Sequence, residues 1–166
     1  DGVLTKITAI GDALGVPDKA QALNDQVQAA FDDVALQVDQ SEGAPKRVLF
    51  VLSTQGGRIM ASGTNTAADG IISLAGGVNA IDQFEGYRQL TAEAISVAAP
   101  DVVLMMDREG DHSSTAEALF AMPEMSTTPA AQAGALVKMD GLLLLGFGPR
   151  TPQAAQTLHD ALQGQS

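Results

Sequence analysis

Residues 47–76, RVLFVLSTQGGRIMASGTNTAADGIISLAG, decide the fold. Val48 to Leu52 is a short unbroken apolar run, the pattern of a strand covered on both faces in a parallel sheet. It leads into Thr54-Gln55-Gly56-Gly57, where paired glycines permit backbone angles that other residues resist, and on through a small-residue loop to Thr66. From Ala67 the apolar positions Ala68, Ile71, Ile72, Leu74 and Ala75 share one helical face, with Thr64 or Thr66 as N-cap and Gly76-Gly77 as the stop. The unit is strand, glycine-rich loop, helix. Ligands of open α/β sheets lie beyond the carboxyl ends of the strands, so the loop Thr54 to Thr66 is the first place to look for a binding site.

On the amino-terminal side, Val3, Ile7, Ile10 and Leu14 recur at helical spacing until Gly15-Val16-Pro17-Asp18 breaks the pattern. Pro17 then opens a second helix, and Ala20, Leu23, Val27, Ala30, Phe31, Val34 and Leu36 carry it to about Gln40, long enough to cross from one body to another. Ser41-Glu42-Gly43-Ala44-Pro45 is a clean boundary. On the carboxyl-terminal side, Asn79-Ala80-Ile81 predicts a short strand and Asp82 to Arg88 a turn-rich segment. A helix capped by Thr91, with Glu93 in its first turn, ends at Pro100. Val102 to Met106 predicts a second buried strand, closing into the polar loop Asp107 to His112. A helix over Ser114 to Ala121, turns over Pro123 to Thr128, a third strand over Ala135 to Met139 and an interrupted helix over Leu142 to Leu162 complete the chain. The alternation predicts a three-layer α/β domain with a mainly parallel sheet of three or four strands, preceded by the long helix.

Composition bounds the function. The chain has 166 residues, 45% of them hydrophobic, enough for one good core. Net charge is −11, and the nine Lys and Arg residues form no cluster, which argues against nucleic acid or an anionic membrane as partner. With no cysteine there is no disulfide, thiolate metal site or thiol nucleophile. No apolar run is long enough to span a bilayer.

The chemical motifs are sparse. Gly56-Gly57 lacks the Lys-Ser/Thr of a P-loop, and Gly146-Phe147-Gly148 is followed by Pro149, not by the spacing of a dinucleotide fingerprint. Asp107, Glu109, Asp111 and His112 crowd one loop, but adjacent acids seldom converge on one ion, and a solvated acidic loop is the plainer reading. The histidines are His112 and His159, and no serine sits in a nucleophile elbow, so hydrolase chemistry has little support. Arg108 directly follows a buried strand: it either holds an anionic oxygen at the sheet edge or pairs with Glu109. Tyr87 either plugs the surface or lines a cleft. Met60 reads as packing or as a loop-edge contact, and Glu93 reads first as a dipole-stabilising residue.

Residues 56–110, GGRIMASGTNTAADGIISLAGGVNAIDQFEGYRQLTAEAISVAAPDVVLMMDREG, followed by residues 137–154, VKMDGLLLLGFGPRTPQA, closely resemble the C-terminal lobe of periplasmic haem-binding proteins of ABC-type haem importers. The resemblance runs from about Lys46 to the end and is most specific over Gly57 to Ala68 and Met139 to Pro152. It implies a two-lobed binding protein: residues 1–16 the tail of an N-terminal lobe, 17–43 the linking helix, 44–166 the C-terminal α/β lobe. The chain is then expected to be a piece of a longer precursor.

In such proteins haem, the transported ligand, sits between the lobes with a tyrosine of the N-terminal lobe as axial iron ligand. By resemblance Arg108 supports that phenolate, since a nearby cation favours the charged form that binds ferric iron. Gly57, Arg58, Met60 and Tyr87 are the implied haem contacts, and Glu93 matches a surface glutamate that docks to an arginine pocket on the permease. The expectation is a periplasmic substrate-binding protein, monomeric when intact, with haem and an inner-membrane permease as partners, no catalytic residues and no metal site of its own. The alternatives are a siderophore or cobalamin binder of the same architecture, a small metal-dependent enzyme using Asp107 to His112, and a plain interaction module.

Overall fold

The structure is a computed structural model and describes residues 2–107 and 115–164. Helix α1 (Gly2–Ala13) turns at Gly15, whose φ of +68° is left-handed, into α2 (Pro17–Gln40), with Pro17 at the first helical position. The two helices lie against each other closely: a β-carbon on Gly11 would fall 2.2 Å from that of Ala20. α2 has the 24 residues that its periodicity predicts, about 36 Å at 1.5 Å per residue.

The α/β part follows as β1 (Arg47–Ser53), β2 (Met60–Ser62), α3 (Ala67–Leu74), β3 (Val78–Asn79), β4 (Tyr87–Gln89), α4 (Ala92–Ala98), β5 (Val102–Asp107), α5 (Ala116–Phe120), α6 (Pro129–Ala133), β6 (Leu136–Asp140), α7 (Gly141–Leu145) and α8 (Thr151–Gly164). The sheet runs β4-β2-β1-β5-β6, with β3 pairing the start of β1. β1 pairs in parallel with β3 and β5, and β5 with β6, while β2 and β4 form an antiparallel edge.

The sheet is therefore mainly parallel, as the alternation of elements predicts, but it has six strands where the sequence reading expects three or four. The extra strands, β2 and β4, are three residues each and lie in segments read as loop and turn. Three residues are too few for a period-2 pattern to show against Gly, Ser and Thr neighbours.

Alternation along the strands divides the core in two. Val48 and Phe50 of β1, Val102 and Leu104 of β5, and Val137 and Met139 of β6 face α3, α7, α8 and Val34 of α2. Leu49, Val51, Val103 and Met105 face the other way, toward Ile95 of α4, Leu119 of α5 and Ala130 of α6. That makes three layers, helix on sheet on helix.

Polar fastenings hold the amino edge. The Arg47 guanidinium donates to the carbonyls of Ala98 (2.9 Å) and Ala80 (3.2 Å), while its backbone N–H donates to the Asp101 carboxylate (2.8 Å). The carboxyl-terminal half of α2 is fixed to α8: Gln156 Nε2 donates to Gln37 Oε1 at 2.7 Å, and buried His159 lies between Ser41 Oγ (3.3 Å) and the Ala75 carbonyl (3.0 Å). A carbonyl can only accept, so Nδ1 of His159 carries the proton.

Candidate functional site

The carboxyl edge of the parallel strands is the candidate site, because ligands of open α/β sheets lie beyond the carboxyl ends of the strands. β1 leaves the sheet at Ser53 and passes through a 3₁₀ turn at Gln55–Gly57, in which Gly56 (φ +65°) and Gly57 (φ +72°) are both left-handed. Two consecutive residues of that kind favour glycine strongly, and a β-carbon on either would meet no neighbour, so the backbone itself stays open to a ligand. Arg58 follows, exposed, and the chain returns to the sheet as β2.

The strand pairs set which side chains share a face. Met60 stands opposite Gln89, and Ser62 opposite Tyr87, so these four point to one side and Ala61 and Arg88 to the other. That side is Phe50's. Tyr87, 40% exposed, meets the buried Phe50 ring edge-on, centroids 6.4 Å apart at 65°. On the opposite face the Arg88 guanidinium lies 5.1 Å from the centre of the Phe84 ring.

Leu52 and Met106, one residue past the paired Val51 and Met105, are half-buried on the same side as Phe50, and Leu142 at the head of α7 is 77% exposed. Leu52 and Met106 thus present apolar, polarisable surface near the carboxyl ends of β1 and β5, with Met60 on β2 opposite Ser53 and Tyr87 further back on β4, level with Phe50.

A buried network aims this surface. The Asn79 amide donates to the Gly63 carbonyl (3.1 Å) and to Asp69 Oδ1 (3.0 Å), and its Oδ1 accepts from the Ile81 N–H. Thr66 accepts from the Asp69 N–H as N-cap of α3, which decides between the two capping threonines, and its hydroxyl bonds that of Ser62. Gly63 N–H donates to the Gly86 carbonyl (2.8 Å) and Thr64 N–H to that of Phe84 (2.9 Å), tying the loop before α3 to the segment that carries Tyr87. Glu117, exposed in the first turn of α5, has its carboxyl held below the ordinary carboxylate range by its own backbone N–H first and the Thr115 hydroxyl second.

Of the residues that the sequence singles out, Gly57, Arg58, Met60 and Tyr87 sit on the carboxyl-edge turn and the β2–β4 edge that it leads into. Glu93 is elsewhere: it is exposed in the first turn of α4, a helix packed on the opposite face of the sheet, with its N-cap, Thr91, accepting from the Ala94 N–H. Arg108, and with it most of the loop Asp107 to His112, lies outside the described residues. The sequence does not single out Leu52, Met106 or Leu142, because within an apolar run nothing separates a half-covered residue near a strand's end, or an exposed one at the head of a helix, from its buried neighbours.

The sequence of residues 1–142 matches the family model described as Periplasmic binding protein. The chain belongs to the periplasmic binding protein family. Among solved structures it is similar to the periplasmic haem-binding protein BhuT in complex with two haems, at 40% identity and a TM-score of 0.94 over 98% of this chain. It is similar also to the periplasmic haem-binding protein RhuT from Roseiflexus sp. RS-1 (31%, TM-score 0.90, 98% of this chain) and to the periplasmic haem-binding protein HutB of Vibrio cholerae (31%, 0.85, 97%). It spans 62%, 62% and 63% of those three chains respectively, less than two thirds of each. A comparison with curated protein sequences found no match. No helix among the described residues of this family member is long and apolar enough to cross a membrane.

Proposed function

We propose that this chain is the C-terminal lobe and linking helix of a periplasmic binding protein that captures haem between two lobes and delivers it to an ABC permease, and that it is not an enzyme. The observation that carries the reading is the 40% identity to a haem-binding relative over 98% of the chain. The carboxyl edge supports it, with Leu52 and Met106 offering an apolar rim to a macrocycle beside Met60 and Tyr87 of the β2–β4 edge.

The division into residues 1–16, 17–43 and 44–166 belongs to the same reading. Ile10 (60% exposed), Leu14 (71%) and Leu23 (37%) lie on α1 and the start of α2, away from the lobe's own core, where a second lobe would cover them. Haem is then the transported ligand, with a tyrosine of that second lobe as axial ligand and Arg108 supporting it. The protein works in the periplasm as a monomer when intact. Glu93 on the outer face of α4 meets the permease.

Hemin titration of the full-length protein, followed at the Soret band, tests the haem reading; absence of saturable binding would overturn it. In the same protein Glu93→Ala is expected to leave the hemin titration unchanged and to slow hemin transfer to the reconstituted permease several-fold, the size expected for loss of one charged docking contact. Unchanged transfer would remove Glu93 from the docking surface.

A further inference from the structure

α2 is shared between two cores. Its carboxyl-terminal half belongs to the α/β core through Val34 and Val38, whereas Ala20 and Val27 on its amino-terminal half pack with Val3 and Ile7 of α1. The carboxyl-terminal half is held by the Gln37–Gln156 and Ser41–His159 contacts. The amino-terminal half packs on α1 instead, and where the α1–α2 pair sits against the lobe depends on what props it there.

Among the described residues one side chain, Phe147, packs against both cores. Its backbone is left-handed, φ +44°, which a bulky residue adopts at a cost of about 1–3 kcal/mol and holds only where its surroundings enforce it. The surroundings do so. Gly146 N–H donates to the Leu142 carbonyl (3.0 Å), and the Gly148 carbonyl accepts from the Thr151 N–H (3.0 Å) and hydroxyl (2.8 Å), so the segment between α7 and α8 is tied at both ends. The ring rests on Gly70 of α3, where a β-carbon would approach its Cζ to 3.0 Å, and on the other side the Phe147 carbonyl accepts from Lys6 Nζ of α1 at 3.4 Å.

We infer that Phe147 is a positioning residue: its ring, seated in the notch left by Gly70, is the prop that sets the angle between the α1–α2 pair and the α/β lobe. This rests on the two-lobe reading for its consequence, since the α1–α2 pair would carry the other lobe and the angle would set the width of the haem cleft. It does not depend on that reading for its geometry. The strained backbone puts the ring where a relaxed one would not, and the absent side chain at residue 70 makes the seat.

The chain has no cysteine, so in the full-length protein, with any cysteine outside this chain replaced by serine, the pair Ala9→Cys and Ser96→Cys, both exposed, gives two clean spin-label sites on α1 and α4. The inter-label distance distribution should be narrow in that background. Phe147→Ala should broaden it, Gly70→Ala should shift or broaden it by displacing the ring, and adding Gly70→Ala to Phe147→Ala should change nothing further. Hemin affinity should fall in parallel with the broadening, on the order of tenfold, as the competent orientation becomes a minority. A distribution that stays narrow in Phe147→Ala well below its melting temperature would overturn the inference and leave Phe147 as ordinary packing. Should the full-length protein bind no hemin at all, the haem reading fails, and the distance measurement still judges the prop.

Discussion

Replacing Gly63 with alanine is expected to cost the fold about 3 kcal/mol and to release Tyr87 from its place on the β2–β4 edge. A β-carbon on Gly63 would stand 2.1 Å from the Phe84 carbonyl oxygen and 2.6 Å from the Phe84 ring. The obstacle is backbone, not the tip of a flexible side chain, and overpacking of that kind costs roughly 1–3 kcal/mol or more. To make room, the segment Phe84–Gly86 must withdraw from residues 63 and 64, which breaks three backbone hydrogen bonds of 2.8–3.0 Å that join them. Tyr87 follows directly and pairs with Ser62. The chain has one tyrosine and no tryptophan, so its intrinsic fluorescence reports Tyr87 alone. Gly63→Ala should lower the denaturation midpoint and make that fluorescence more accessible to acrylamide. Wild-type stability with unchanged quenching would contradict the close approach.

Truncating Phe50 to alanine is expected to destabilise the lobe by about 3–5 kcal/mol, the usual cost of removing a buried aromatic side chain. Phe50 has no exposed surface, sits in the central strand and joins the core under α3 and α8 to the Tyr87 ring. The loss is a large share of the roughly 5–15 kcal/mol that holds a typical domain together. Chemical denaturation measures it directly. Tyr87 quenching should rise as well, because its edge contact disappears, while Phe50→Leu should recover much of the stability and little of the quenching protection. A loss below about 1 kcal/mol would show that the core collapses around the gap and that Phe50 is not its keystone.

The frame of this molecule is legible in the sequence where apolar periodicity is long. α2 starts at Pro17 and ends at Gln40 as its spacing requires, and the apolar runs at residues 48–52, 102–106 and 135–139 are the three longest parallel strands within a residue or two. Thr91 and Glu93 take the cap and first-turn positions that their order implies. The antiparallel edge is not legible. β2 and β4 exist because Gly63 lets residues 63–64 hydrogen-bond residues 84–86, a contact across some twenty residues that leaves no local trace. Tyr87 can be singled out from the sequence as a lone aromatic after Gly86, but its place on the Phe50 side of the sheet follows from that pairing. Phe147 is hidden for a different reason: Gly146-Phe147-Gly148 reads as a helix interruption, and only the packing shows which two bodies the ring joins. The haem assignment owes little to periodicity, since an α/β lobe of this kind serves many ligands. It comes from the specific strings around Gly57–Ala68 and Met139–Pro152 and from likeness over the whole chain.

The account stands or falls on hemin titrations run side by side on this chain and on the full-length protein, followed at the Soret band. Full-length protein should bind saturably, and this chain alone should bind more weakly by about a hundredfold or not at all, as the proposed division of the site between two lobes requires. Equal, tight binding by both would contradict the division of the site between two lobes.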